Sequence, residues 1–194
     1  ITMSKEIIIT LPDGSQKQTS IGVSGYEIAR MIGEGLANAA IAFSVDGKQK
    51  DLSDTVSQDA SIAIYTLDSD EGLEIMRHTI AAQVLARAIK NLYPNAKLAI
   101  GPTIENGFYY DFLSDERVSV DDLPRIEKEM EKIVATKSDI KKTIYTKKEA
   151  IKIFADINEE YKVKIIEESD QKDSFQIYSQ GDTGFIDLCR GPHL

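Results

Sequence analysis

The first 66 residues consist of short apolar runs separated by turn signals. The run at 6–11 is rich in isoleucine and ends at the turn Pro12-Asp13-Gly14-Ser15, which predicts a strand followed by a hairpin. A helical pattern starts at Gly25. Ser24 lies before it and Glu27 three residues further on, which is the spacing of a capping box. This part of the chain therefore opens with two strands and a helix.

Two further apolar runs, at 40–45 and 61–66, predict strands, and Asp46-Gly47 after the first run is a strong hairpin signal. The resulting order ββαβββ is typical of a small β-grasp (ubiquitin-like) domain, which we place at residues 1–66. Residues 67–72 are predicted to form a linker. No cluster of titratable side chains marks this domain, so a binding or spacing role is favoured over catalysis.

A long helix is predicted from Glu71 to Tyr93, because Pro94 then ends an uninterrupted helical pattern. At about 100° per residue, His78 falls on the apolar face of this helix. The polar residues predicted on the opposite face are Thr79, Gln83, Arg87 and Lys90. His78 is therefore expected to point inwards, either as a core histidine or as part of a site.

The rest of the chain mixes helical and strand patterns, which favours an α+β domain with a mostly antiparallel sheet over residues 73–194. Alternation in the aromatic run allows one of Tyr109 and Tyr110 to face the core. Helices are predicted at 121–137 and 147–158, and strands at 97–103, 104–113, 140–145, 161–167 and 174–178.

Composition and charge narrow the functional classes. With 42% apolar and 28% charged residues, the chain is expected to bury a core. No apolar run approaches 18 residues and the first residues lack the apolar core of a signal peptide, so neither a transmembrane helix nor a leader is expected. The single cysteine excludes internal disulfides and fits a cytoplasmic location.

The net charge of −9 argues against non-specific binding to nucleic acid. Six lysines nevertheless lie between residues 137 and 152, where only Asp139 and Glu149 oppose them. This local basic surface either contacts phosphates or is a solvated face of the domain.

The C-terminal stretch Cys189-Arg190-Gly191-Pro192-His193-Leu194 carries the only cysteine and one of the two histidines. The other histidine is His78. Cysteine and histidine at this spacing, with a distant helical histidine, are typical of a small hydrolytic or metal site.

Three strings together resemble the N-terminal part of bacterial threonyl-tRNA synthetases. They are Arg77-His78, then Ile100-Gly101-Pro102 with Asn106-Gly107-Phe108-Tyr109-Tyr110-Asp111, and finally Asp187-Leu188-Cys189-Arg190-Gly191-Pro192-His193. The resemblance implies a TGS domain, which is a β-grasp module, followed by an editing domain related to that of alanyl-tRNA synthetase. It also implies a fragment that lacks the aminoacylation core.

The activity that the resemblance implies is hydrolysis of seryl-tRNA(Thr), the mischarged product. Threonine and serine differ by one methyl group, which a pocket can recognise by only ~1–3 kcal/mol, so a second site is needed to remove errors. The implied partners are tRNA(Thr) and seryl-tRNA(Thr), with no membrane and with a homodimer formed through the missing core. ATP and zinc are expected only in that core.

The resemblance also implies residue roles. His78, Lys162, Cys189 and His193 are expected to be catalytic, and Tyr110, Asp187 and Ala82 to contact substrate. Lys162 would anchor the attacking water or stabilise the oxyanion, and His78 would hold the water or a ribose hydroxyl. Asp187 would bind the substrate ammonium.

This sequence departs from the family at the second histidine of the helical His-x-x-x-His motif. Counted forward from His78, that position is Ala82; counted backward from Ala88-Ile89-Lys90, it is Gln83. The second count requires one extra residue, which a π-bulge can absorb. An ideal α-helical wheel places Ala82 beside His78, so Ala82 is the predicted equivalent.

Three alternatives remain open. Zinc could bind His78, Cys189 and His193 with an open fourth position, although the family edits without metal and no cofactor is expected in this part. The missing histidine allows a tRNA-binding module whose editing activity has decayed. A thiolate at Cys189 would instead make the domain a Cys-His hydrolase.

Overall fold

The computed structural model describes residues 5–194; the first four residues of the predicted β-grasp domain lie outside this range. Two compact units are present. One comprises the described residues up to Met76 together with Gly191–Leu194, and the other comprises Arg77–Arg190. No helix among residues 5–194 is long and apolar enough to cross a membrane.

Regular elements occur throughout the described chain. The strands are β1 (Glu6–Thr10), β2 (Gln16–Ser20), β3 (Val23–Ser24), β4 (Ala42–Val45), β5 (Lys48–Lys50), β6 (Thr55–Val56), β7 (Ala60–Tyr65), β8 (Lys97–Leu98), β9 (Thr103–Ile104), β10 (Gly107–Phe108), β11 (Phe112–Leu113), β12 (Ile140–Tyr145), β13 (Phe175–Gln180) and β14 (Ile186–Leu188). The helices are α1 (Gly25–Ile32), α2 (Glu34–Ala39), α3 (Asp70–Thr79), a π-helix (Ile80–Leu85), α4 (Ala86–Leu92), a 3₁₀ turn (Val120–Asp122), α5 (Leu123–Ala135), α6 (Lys147–Asp156) and α7 (Glu160–Glu168).

The N-terminal unit contains a five-stranded sheet in the order β2-β1-β7-β4-β5. Strands β1 and β7 pair in parallel, and the other neighbours pair antiparallel. The core of this unit includes Ile9, Ile28 and Phe43. A Cβ at Gly25 would lie 2.5 Å from the Phe43 ring, so glycine allows the start of α1 to approach β4 closely. The predicted β-grasp fold is confirmed.

Helix α1 begins with the predicted capping box. The Ser24 hydroxyl accepts a hydrogen bond from the Glu27 backbone N–H (3.2 Å), and the Glu27 carboxylate accepts one from the Ser24 backbone N–H (2.8 Å). Two N–H groups that the first turn would otherwise leave unpaired are thereby satisfied.

The second unit contains a three-stranded antiparallel sheet in the order β12-β13-β14. Side chains alternate between its two faces. One face is apolar: Phe175 and Ile177 pack with Phe154 of α6 and Ile166 of α7. The other face, here called the polar face, carries the buried side chains of Tyr178, Gln180 and Asp187. Tyr178 and Asp187 are register partners, so their side chains are neighbours on that face.

A second apolar cluster of this unit lies between α4 and α5. Ile89 of α4 and Ile133 of α5 belong to it, together with Leu98 of β8 and Tyr110. The segment 97–113 forms two short antiparallel pairs, β8 with β11 and β9 with β10. The two strands predicted there are therefore interrupted, and four short strands form instead. Residue Tyr110 joins β10 to β11 and reaches the core, whereas Tyr109 is exposed.

One further prediction is wrong and another is refined, and both bear on function. The strand expected at 161–167 is helix α7, in which Lys162 and Ile166 are buried at a spacing of four residues. The predicted long helix is confirmed, and residues 80–85 within it form a π-helix. Thr79 and Gln83, which an α-helical wheel places towards solvent, are both buried.

We expect Ser24→Ala to lower the free energy of unfolding of the N-terminal unit by about 1 kcal/mol, because the cap hydrogen bond is lost. The pKa of Glu27 lies below its usual value because the Ser24 backbone and hydroxyl donate hydrogen bonds to its carboxylate. This stabilisation is present above the ordinary glutamate pKa and is lost as the pH falls through the lowered one.

Chemical denaturation at neutral and acidic pH measures both effects. The difference between Ser24→Ala and the parent should shrink in acid. Ser57→Ala, at an exposed serine, is the matched control. An equal loss for the two variants at neutral pH would contradict the capping interpretation.

Candidate functional site

A histidine and the only cysteine meet within the second unit. His78 lies at the end of α3, and Cys189 directly follows β14. Their side chains approach to 2.8 Å between Nε2 and Sγ. The Cys189 backbone N–H donates to the Gln176 carbonyl, which keeps Cys189 in register with β13 beyond the end of β14. Two residues 111 positions apart are thus brought into hydrogen-bond contact.

A buried charge network forms the second part of the site. The Lys162 ammonium, on α7, lies 2.8 Å from Asp187 Oδ1, and both side chains are almost fully buried. Lys162 Nζ also donates to the Ala99 carbonyl at 2.7 Å and to the Tyr110 hydroxyl at 3.1 Å. The Tyr110 hydroxyl in turn donates to Asp187 Oδ2 at 3.1 Å. Lys162, Asp187 and Tyr110 therefore form a closed triangle of hydrogen bonds.

Burial sets the protonation states in this triangle. Burial, with the neighbouring Asp187 carboxylate, raises the pKa of Tyr110 far above its usual value, so the phenol remains a donor. Burial also raises the pKa of Asp187, and the Lys162 ammonium and the hydrogen bonds from Tyr110 and the Leu188 backbone oppose that shift. The short contact with Lys162 supports an ionised carboxylate, because an ammonium needs an acceptor at that distance.

The two parts of the site share one surface. Asp187 and Cys189 are two residues apart, and alternation along β14 directs both towards the polar face. Two residues of extended chain span about 7 Å. The His78–Cys189 pair and the Lys162–Asp187–Tyr110 triangle are therefore neighbours.

The donors of Lys162 are fully used in this arrangement. An ammonium has three N–H groups, and Ala99, Asp187 and Tyr110 accept one hydrogen bond each. Lys162 therefore presents a positive charge, but no further donor to a water molecule unless one of these bonds breaks. Of the two roles predicted for Lys162, this geometry favours stabilisation of negative charge. The negative charge of Asp187 is likewise already balanced by Lys162.

The π-helix changes which residue shares the face of His78. Its hydrogen bonds connect residues five apart, as from the Ala86 N–H to the Ala81 carbonyl. One extra residue is accommodated, and later positions shift by one around the helix. Gln83 is fully buried, although an uninterrupted α-helix would turn it away from His78. The wheel argument that favoured Ala82 therefore does not apply here, and the assignment of Ala82 as a site residue stays a prediction.

Gln180, which no sequence motif marks, binds this turn from the polar face. Its side-chain N–H donates to the Gln83 carbonyl at 2.7 Å and to the Gln83 side-chain oxygen at 3.0 Å. Its own side-chain oxygen accepts from Arg87 at 3.0 Å. The available signal was its spacing of two from Tyr178, which predicts the same face of a strand.

His193 belongs to the other compact unit, with residues 191–194. Its backbone N–H donates to the Asp51 carboxylate at 2.8 Å within that unit, and its side chain is buried. Its predicted catalytic role stays a prediction.

The His78–Cys189 pair can be tested for its fit to zinc. Two ligands of one tetrahedral zinc ion, at the usual Zn–N and Zn–S distances, lie about 3.5 Å apart. The observed 2.8 Å is shorter than this separation, and it is also shorter than an ordinary nitrogen–sulfur hydrogen bond, because sulfur has a larger radius than oxygen. The pair as it stands does not fit the ion; it would have to open by about 0.7 Å to hold it. Zinc at this site stays an alternative.

Part of the predicted basic surface is engaged with the protein. Lys147 Nζ donates to the carbonyls of Glu167 and Ser169 at the end of α7. Lys152 pairs with Asp156 at 2.6 Å. These contacts favour the interpretation of a solvated structural surface for this portion of the lysine cluster.

Comparison with known proteins places these residues in a family context. A model of the TGS domain matches residues 7–66. The threonine–tRNA ligase of Acidithiobacillus ferrooxidans is 46% identical over 186 residues, which are 96% of this chain and 28% of that protein. The corresponding enzyme of Rhizobium leguminosarum bv. trifolii is 43% identical over 192 residues, 99% of this chain and 28% of the relative.

A third threonine–tRNA ligase, from Marinobacter nauticus, is 44% identical over 96% of this chain and 29% of its own length. The chain is therefore homologous to the N-terminal part of threonine–tRNA ligases and spans less than a third of the length of these curated relatives. The resemblance seen in the sequence is confirmed.

We expect Gly101→Ala to disrupt the triangle, because a Cβ at Gly101 would lie 2.2 Å from the Tyr110 ring. The ring must move, which weakens the hydrogen bond from Tyr110 to Asp187. Overpacking of this kind typically costs ~1–3 kcal/mol. Thermal and chemical denaturation measure the loss.

Gly107→Ala is the matched control, since a Cβ there would meet only an Ile104 carbon at 4.0 Å. We expect that variant to behave like the parent chain. Equal stability of Gly101→Ala and Gly107→Ala would show that the close approach at Tyr110 does not constrain the site.

Proposed function

We propose that this chain, as the N-terminal part of a threonine–tRNA ligase, removes serine from mischarged seryl-tRNA(Thr) by hydrolysis of the aminoacyl ester. The observation that carries the proposal is the buried Lys162–Asp187–Tyr110 triangle beside the His78–Cys189 contact. Burial of two opposite charges costs free energy unless both are well paired. Perturbed groups of this kind cluster at functional sites.

The reaction needs the protein to accept a proton from the attacking water, to stabilise an oxyanion and to return a proton to the ribose oxygen. A water oxygen attacks the ester carbonyl carbon, the bond from that carbon to the ribose oxygen breaks, and the ribose oxygen takes up a proton. The Lys162 ammonium can stabilise the oxyanion that forms on the carbonyl oxygen. The imidazole of His78 is the group best suited to accept the proton of the water and return it to the ribose oxygen.

The remaining residues orient these groups. The Tyr110 phenol stays protonated and links Lys162 to Asp187, which fixes the ammonium. We assign substrate contact to Tyr110, Asp187 and the helix at Ala82, as the resemblance implies. Selection of serine would follow from exclusion of the additional methyl group of threonine. The partner is tRNA(Thr), whose 3′ adenosine carries the ester.

We assign the ligation reaction, with its ATP and zinc and any homodimer interface, to the remaining length of the homologous ligases. The proposal for this chain covers ester hydrolysis alone.

A second candidate function is tRNA binding without hydrolysis. Two observations favour it: the three donors of Lys162 are all taken by the protein, and neither Ala82 nor Gln83 supplies the second imidazole of the family motif. This candidate predicts salt-dependent binding of tRNA(Thr) and no release of serine.

We expect the purified chain to release serine from seryl-tRNA(Thr) but not threonine from threonyl-tRNA(Thr), as measured by acid-precipitable radiolabel over time. Lys162→Met and His78→Ala should each slow release at least a hundredfold, since oxyanion stabilisation and proton transfer contribute factors of this size. Lys152→Met is the matched control, because it also replaces a lysine by methionine but breaks only an exposed ion pair on α6.

Absence of serine release by the parent chain, together with measurable tRNA binding, would support the second candidate. Cys189→Ser separates the two hydrolytic chemistries, because a thiolate nucleophile is lost in that variant. Retained hydrolysis with Cys189→Ser would support attack by water.

We also expect Gln83→His to raise the hydrolytic rate relative to the parent chain and Ala82→His to lower it. The π-helix turns Gln83 towards the polar face, whereas histidine in place of the small buried Ala82 overpacks its surroundings. Single-turnover hydrolysis of seryl-tRNA(Thr) compares the two variants. A higher rate for Ala82→His than for Gln83→His would reinstate the α-helical register.

A further inference from the structure

We propose that Glu159, held by Lys90, is a positioning residue for the Lys162 ammonium. The inference deepens the proposed function, since it concerns the cation of that site, but it makes a structural claim that can be tested without hydrolysis. Neither residue drew attention in the sequence, where Lys90 was placed on the polar face of the long helix.

Glu159 is a buried carboxylate with a partner for each of its two oxygens. Its side chain is 4% exposed, and its Oε1 lies 2.6 Å from the Lys90 Nζ. Its Oε2 accepts the backbone N–H of Leu98 at 3.2 Å. Lys90 Nζ also donates to the Ala96 carbonyl at 2.9 Å. One carboxylate thus connects α4, the segment 96–98 and the start of α7.

The local backbone explains why Glu159 occupies this position. Helix α6 ends at Asp156, and Asn158, two residues further on, lies in the left-handed region (φ 59°). The Asn158 N–H bonds to the Ala155 carbonyl, and the Glu159 N–H to the Phe154 carbonyl, which together form a Schellman motif. The Glu159 carbonyl then accepts the Val163 N–H at 3.1 Å and starts α7. Glu159 therefore connects the end of α6 to the start of α7.

The carboxylate of Glu159 does not cap its own helix. The side chain of an N-cap residue commonly accepts hydrogen bonds from N–H groups of the first helical turn. Here it reaches β8 instead and accepts a hydrogen bond from the Leu98 backbone N–H. The carbonyl of the next residue, Ala99, accepts a hydrogen bond from the Lys162 ammonium. Two successive residues of one segment thus bind Glu159 and Lys162 at the start of α7.

The charges reinforce this arrangement. Lys90 and Lys162 are the cations, and Glu159 and Asp187 the anions, so the four charges balance. The Glu159 carboxylate is close enough to contribute to the raised pKa of Tyr110. If Glu159 loses its charge, Lys90 loses its ionic partner and the start of α7 loses its ion pair with α4. Lys162 is three residues away, so its Nζ should then move relative to Asp187 and Tyr110.

NMR of the full chain labelled with ¹⁵N-lysine tests the proposal directly. In the parent chain, the Lys162 ammonium should give a slowly exchanging signal because all three N–H groups are donated to protein acceptors. Lys162→Met assigns that signal. In Glu159→Gln, which keeps the size of the side chain and removes its charge, we expect exchange of the Lys162 protons to accelerate at least tenfold.

Lys90→Met removes the same ion pair and serves as a second variant if Glu159→Gln does not fold. Methionine retains the packing of the lysine stem, and the side chain at this position is partly exposed. Lys152→Met removes a lysine of the exposed pair with Asp156 and should leave the Lys162 signal unchanged. Unchanged exchange at Lys162 in a folded Glu159→Gln or Lys90→Met chain would overturn the proposal.

Hydrolysis supplies the second readout. If seryl-tRNA(Thr) is the substrate, Glu159→Gln should lower kcat at least tenfold with little change in KM, because Lys162 acts on the transition state. A lowered stability with unchanged kcat would overturn the positioning role. A parent chain that shows the protected Lys162 signal but releases no serine would overturn the proposed hydrolysis, and the exchange experiment alone would then decide the role of Glu159.

Discussion

The ion pair between Lys162 and Asp187 is the interaction on which the site depends. Both side chains are almost fully buried, and in such surroundings a charge without a partner is severely destabilising. Every group around them is therefore constrained: Ala99 must offer its carbonyl, Tyr110 must remain protonated, and Leu188 must present its N–H. The pair is also the reason why a distant helix, a loop and a strand have to meet in one arrangement.

Because side chains alternate along its strands, the three-stranded sheet packs the core with one face and carries the polar site residues on the other. Its apolar face is covered by α6 and α7, which supplies the core of this part of the unit. Its polar face collects Tyr178, Gln180 and Asp187, and Cys189 follows in the same direction. Because α7 packs on the apolar side yet begins beside β8, its first turn can carry Lys162 to the edge where the polar groups converge. The Glu159–Lys90 contact fixes that turn.

The π-helix accommodates one extra residue in the long helix and thereby changes which side chains face the site. An additional residue in an amphipathic helix normally moves a whole face out of register. Here the extra residue is absorbed within Ile80–Leu85, between the half-buried His78 before it and the buried Ile89 after it. Gln180 stabilises the widened turn through the Gln83 carbonyl. Such turns are frequent at functional sites, since they redirect a side chain without breaking the helix.

The sequence by itself determined the β-grasp order, the Ser24–Glu27 cap, the long helix and the homology to threonine–tRNA ligases, because local spacing and short motifs encode these features. It also pointed to His78 and Cys189 through their residue types and spacing, and to Lys162, Tyr110 and Asp187 through the resemblance. Tertiary structure alone decided that residues 161–167 are helical, that Tyr110 rather than Tyr109 is buried, and that Gln83 turns inwards. It alone revealed the partnership of Lys90 with Glu159. These features depend on contacts between residues tens of positions apart, where packing and the pairing of buried charges override local preference.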